Sequence, residues 1–138
     1  MNNYVLITPR FSDFNGQALL KASIHLDLAC EAQLAQMAPR YNLPLVARFS
    51  SQGLRWHIAN FNIEYEKVIR GLNLLRIEAD VTKISTNAML VEFGFFDEEK
   101  SQRFAYGKIR FDLVDAKDQL VEIPADVRES LIKNGRVK

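Results

Sequence analysis

The 138-residue sequence predicts an α+β fold, one helix layer packed on one antiparallel sheet. Three observations predict it. Apolar residues recur at helical spacing from residue 20 to 37, the period changes to two after residue 55, and a proline and a glycine bracket a short last helix. With 48% hydrophobic and 25% charged residues, the chain suits a single globular domain spanning 1–138, large enough to bury a core.

Residues 3 to 11, "NYVLITPRF", read as a first strand, with Pro9 implying an edge or a bend. Residues 12 to 18 form a polar loop. Between residues 20 and 37, Leu20, Ile24, Leu28, Glu31 and Ala35 fall near one helical face, and Ala22, Leu26, Ala29, Cys30 and Ala32 fill much of the rest. A helix apolar on most of its circumference is usually wrapped by other structure. Residues 38 to 54 are a connection with two prolines and a closing Ser-Ser-Gln-Gly turn.

From there the chain alternates. In "RWHIANFNIEYEKV" the apolar positions are Trp56, Ile58, Phe61, Ile63 and Tyr65, and the slip at Asn60 reads as a bulge. In "LLRIEADVTKI", Leu75, Ile77, Ala79 and Val81 share one face, and Arg76, Glu78, Asp80 and Thr82 share the other. "AMLVEFGFF" runs into the acidic turn "DEEKSQ", and "RFAYGKIRFDLVD" alternates again. In "VEIPADVRESLIKNG", Pro124 suits the first helical turn and Gly135 stands where a helix stops. The predicted order is β–α–β–β–β–β with a short terminal helix, the four later strands forming a meander.

Composition excludes several function classes. A formal net charge of +1 with no basic block gives no general attraction to nucleic acid. The single cysteine, Cys30, rules out an intramolecular disulfide and a multi-cysteine zinc site. His57 has no second histidine at ligand spacing, so neither a metal nor a cofactor is expected. "MNNYVLITPR" lacks the basic and apolar regions of a secretory signal. His25, Asp27, Glu31 and Arg40 interrupt the apolar stretch from Leu19 to Leu45, so a membrane span is not expected either. The expectation is a cytoplasmic enzyme or binding domain.

A curved antiparallel sheet wrapped around one long central helix is the arrangement of the hotdog fold. The chain resembles the 4-hydroxybenzoyl-CoA thioesterase-like family of hotdog acyl-CoA thioesterases over almost its whole length. That family opens with Asp-x-Asp-x-x-Gly-His-Val-Asn-Asn and a tyrosine entering the central helix. Aligned without a gap, Asp13-Phe14-Asn15 takes the Asp-x-Asp place, Ala18 the glycine place and His25 the tyrosine place. "NFNIEYEKVIRGLNLLRIEADV" is similar to the family strand ending in Tyr-x-x-Pro-Ala and to the Asp-x-Leu after it, with Tyr65 kept, Val68 for the proline and Asn73 for the aspartate. "VEIPADVRESL" resembles the family's Ile-Pro and terminal helix.

The resemblance implies hydrolysis of an acyl-CoA or acyl-carrier thioester. Such chemistry needs a nucleophile or activated water and a donor for the oxyanion that develops on the carbonyl. The family takes the first from the second carboxylate of Asp-x-Asp and the second from an amide at the start of the central helix, here the backbone of Ala22. The carboxylate place holds Asn15, which orients water or a carbonyl but cannot act as a base. Either Asp13 takes that role, or a carboxylate of the helix does, or the site is no longer hydrolytic. Asp13 and Asn15 equally suit helix capping, Glu31 a salt bridge, and His25 packing or a dimer contact. Lys21, His25, Tyr65 and Arg70 are the candidate substrate-binding residues; Lys67, Arg70 and Arg76 could meet phosphates of CoA or phosphopantetheine, and equally suit a solvated turn. A homodimer or homotetramer is expected, because the open edges of such a sheet must be covered.

Overall fold

A computed structural model describes residues 4–8, 51–69 and 74–137. The described residues form β1 (Tyr4–Ile7), β2 (Arg55–Tyr65), β3 (Leu75–Ile84), β4 (Ala88–Asp97), β5 (Arg103–Val114) and the helix α1 (Ala125–Asn134). The helix expected over residues 20 to 37 lies outside them. β1 ends at Ile7, short of the span expected to run to residue 11, and Thr8 before Pro9 already lies outside it.

The strands make one antiparallel sheet in the order β1-β3-β4-β5-β2. This corrects the four-strand meander. Only β3, β4 and β5 follow one another in space, while β2 pairs with β5 and β1 with β3. Loop length explains the difference: residues 85–87 and 98–102 turn the chain tightly, whereas residues 66–74 between β2 and β3 are too many for a hairpin turn. Side-chain acceptors close both turns. The Ala88 amide donates to Ser85 Oγ at 3.2 Å, and the Gln102 amide donates to the Asp97 carboxylate at 2.7 Å. The expected slip in β2 is present as a register shift between Ile58 and Asn60.

Period-two alternation decides which face is buried. Ile77, Val81, Val91, Phe95, Ile109 and Leu113 are fully enclosed on the inner face. Val127 and Leu131 of α1 join the same cluster. The Arg128 guanidinium fastens α1 to the β3–β4 turn by donating to the carbonyls of Ser85 at 2.7 Å and Thr86 at 3.2 Å. Gly135 follows the last helical residue, and Arg136 N–H donates to Val81 C=O at 2.8 Å, tying the tail to β3.

Thr82 departs from the expected pattern. It was placed on the polar face, yet it is only 6% exposed, because a register shift between Val81 and Lys83 leaves it as the extra residue of a bulge. Its hydroxyl oxygen is enclosed and finds no hydrogen-bond partner among the described residues.

Candidate functional site

Tyr65 is the one described residue among the catalytic and substrate-binding candidates, and Lys67 and Arg76 are the described phosphate candidates. Asp13, Asn15, Lys21, Ala22, His25 and Arg70 all lie outside the described residues, so the Asp-x-Asp match and the amide donor are not located by it. Tyr65 ends β2 opposite Ala105 of β5 and shares the inner face with Phe61 and Ile63. It is 51% exposed, at the margin of the core, and partial burial raises its hydroxyl above the ordinary tyrosine value.

Two small residues of β5 organise the aromatic surroundings. Ala105 lies between Tyr65 of β2 and Phe95 of β4, and Gly107 lies between Ile63 and Phe93. Strands on either side of a shared neighbour stand nearly 10 Å apart, roughly twice the strand spacing. Side chains from β2 and β4 can therefore touch only by leaning across β5. They do so at Gly107: the rings of Phe61 and Phe93 lie parallel within 4° with centroids 5.7 Å apart, and Phe95 meets Phe93 edge-on. A methyl group on Gly107 would stand 2.8 Å from Phe93 Cζ and overlap the Asn62 carbonyl oxygen. The Ala-x-Gly of β5, a pair of small residues at period two, admits the rings.

The basic candidates separate from this face. Arg76 points to the opposite side of the sheet, donates to Glu78 at 3.0 Å and stacks on Tyr4 with its guanidinium carbon 3.7 Å from the ring centre. Lys67 donates to Gln102 Oε1 at 3.0 Å, and the neighbouring Glu66 is held by Arg103, whose hydrogen bond keeps that carboxyl below its ordinary range. The structure therefore does not bring Arg76 and Tyr65 together. A groove beside α1 is lined by Glu122, Arg128, Glu129 and Ile132, and a smaller notch over Gly94 by Glu78, Asp80, Glu92 and Tyr106. Neither contains a candidate site residue. Among the described residues no three metal-ligating side chains converge, and no helix is long and apolar enough to cross a membrane.

No protein-family model matches the chain, and no curated protein sequence does. Solved structures match its whole fold. A hypothetical protein from Thermus thermophilus superposes with a TM-score of 0.84 at 16% identity, over 96% of this chain and 99% of that one. A 1,4-dihydroxy-2-naphthoyl-CoA thioesterase from Synechocystis gives 0.82 at 12% identity, over 94% of each chain. The DHNA-CoA thioesterase of Staphylococcus aureus gives 0.83 at 16% identity, over 95% of this chain and 89% of that one. The chain has the hotdog fold. At these identities the likeness establishes the hotdog fold and leaves the 4-hydroxybenzoyl-CoA thioesterase-like family as a resemblance. The sheet order fits: every described strand lies antiparallel to its neighbours.

Proposed function

We propose that this chain is a single-domain hotdog hydrolase of acyl thioesters, acting on an acyl-CoA or an acyl-carrier thioester. The overall reaction is acyl-S-R plus water to the free acid and the thiol. The observation that carries the reading is the hotdog fold shared over at least 94% of this chain with two acyl-CoA thioesterases. Asp13 keeps the first acid of the family's Asp-x-Asp, while Asn15 replaces the second.

In this reading the Ala22 amide receives the carbonyl oxygen at a helix N-terminus, where the helix dipole favours developing negative charge. Asn15 orients water or substrate, and Asp13 serves as the remaining base. Lys21, His25, Tyr65 and Arg70 hold the substrate, and the protein works as a homodimer or homotetramer. Losing a general base typically costs about two to four orders of magnitude in rate, so turnover by the natural chain is slow. A hydrolysis panel over short, long and aromatic acyl-CoAs tests the activity. Asn15→Asp should raise the rate and Asp13→Ala should lower it. An unchanged rate in Asn15→Asp, with Asp13→Ala only lowering the melting temperature, makes the loop a helix cap.

Asn15 itself favours a second reading, in which the protein binds an acyl thioester or a protein partner without cleaving it. Tight binding of a non-hydrolysable acyl-CoA analogue, with no turnover on any member of the panel, selects that reading.

A further inference from the structure

We infer that the outer side of α1 is a contact between copies of this chain, on which α1 of a second copy lies antiparallel. The inference rests on the homo-oligomer proposed above and not on the thioester chemistry. An α-helix turns once in about 3.6 residues, so the fully enclosed Val127 and Leu131 leave Ala125, Glu129 and Ile132 on the side away from the core. All three are exposed, Ile132 to 50%. A groove of about 580 Å³ lies beside them, lined also by Glu122 and Ile123 of the preceding segment and by Lys133.

A single exposed isoleucine requires no partner. The charges around it select one. Glu122 and Glu129 come before Ile132, and Lys133 follows it. A parallel copy of the helix would set like charge against like, whereas a copy turned end for end presents the opposite sign at each end. A two-fold axis level with Leu131 places Glu129 of each copy against Lys133 of the other, with the two Ile132 side chains beside each other. Glu129 and Lys133 stand one turn apart on the same flank of the helix, so both cross-pairs form together. Neither has an ion-pair partner among the described residues. The 10 residues of α1 span about 15 Å, so this contact is small. It suits the junction between two dimers of a tetramer rather than the dimer interface itself.

Sedimentation of the full chain across micromolar concentrations should show tetramers in equilibrium with dimers. Ile132→Asp should leave dimers with an ordinary melting curve, because the position is half exposed. Glu129→Lys and Lys133→Glu should each weaken the tetramer by about tenfold, through two opposed pairs at the upper end for exposed ion pairs. Acid before base also suits the dipole of the helix itself, and mixing the variants separates the two effects. An equimolar mixture of Glu129→Lys and Lys133→Glu chains should regain the tetramer, since each supplies the sign that the other lacks. An effect confined to one helix leaves the mixture as weak as its components. That result, or a tetramer that survives Ile132→Asp, overturns the contact. Wild-type chain that stays dimeric overturns it too and leaves the homodimer and the thioesterase reading standing, and a monomer overturns the proposed assembly as well.

Discussion

Gly107→Ala is a sharp test of how β5 holds the sheet together. The added methyl overlaps the carbonyl oxygen of Asn62 on β2 and comes 2.8 Å from Phe93 Cζ. Backbone on one side and a packed ring on the other must both move. Overpacking of this kind costs about 1–3 kcal/mol, and separating the Phe61–Phe93 ring pair about 0.5–1.5 kcal/mol more. The stiffer unfolded chain returns about 0.4–1 kcal/mol, leaving a net loss of about 2 kcal/mol. For a chain of this size that lowers the melting temperature by about 7 °C. Gly94→Ala is the control, because its methyl meets the edge of the Phe96 ring at 2.8 Å on the half-exposed outer face, where the ring can turn away. That variant should lose less than about 1 kcal/mol. Circular-dichroism melts at one fixed protein concentration, with urea titrations alongside, read both variants. Equal losses in the two variants, or none in Gly107→Ala, would refute the argument that the empty position on β5 admits the rings.

Replacing the enclosed hydroxyl, which has no partner among the described residues, in Thr82→Val should stabilise the protein by about 1 kcal/mol, read as a melting temperature raised by about 3–4 °C. Ile109→Ala, at a fully enclosed position of β5, should cost about 3–4 kcal/mol with the urea m-value unchanged. The Asp97 carboxyl, which accepts from Ser101 Oγ and from the Gln102 amide, is held below its ordinary value of 3.8. Because the folded pKa is the lower one, its stabilisation is present above 3.8 and is lost as the pH falls through the folded value. An NMR titration of its carboxyl carbon should place the midpoint below 3.8, and Asp97→Asn should remove that acid-dependent step.

Much of the sheet was legible because alternation is a local property. Leu75, Ile77, Ala79 and Val81 could be assigned to the core from the period alone, and the slip at Asn60 marked the β2 bulge because two residues, Ala59 and Asn60, stand between Ile58 and Phe61 where alternation allows one. Thr82 was misread for the complementary reason: a β-branched polar residue inside a bulge keeps the rhythm of the letters while the backbone turns it inward. Strand order was legible for β3, β4 and β5 and not for β2. Which strand β2 pairs with depends on where the chain between residues 66 and 74 travels, and no residue pattern encodes that path. For the site, Asp13, Asn15, Lys21, Ala22, His25 and Arg70 lie outside the described residues, and the assignment of Asp13, Asn15, Ala22 and His25 rests on motif resemblance. Tyr65 shows what the structure adds, since its place opposite Ala105 could not be read from β2 alone.

The order of the strands also sets the tempo of folding. The β3–β4–β5 unit is built from two tight turns and can close by searching only a short stretch of chain. Its two outer neighbours cannot. Tyr4 must find Glu78, and Arg55 must find Val114, each across a long intervening loop whose closure entropy is spent before any contact rewards it. Such a topology belongs with the high-contact-order proteins that fold in milliseconds to seconds rather than microseconds. Substitutions in the central three strands should therefore slow refolding, and those confined to β1 should mainly speed unfolding.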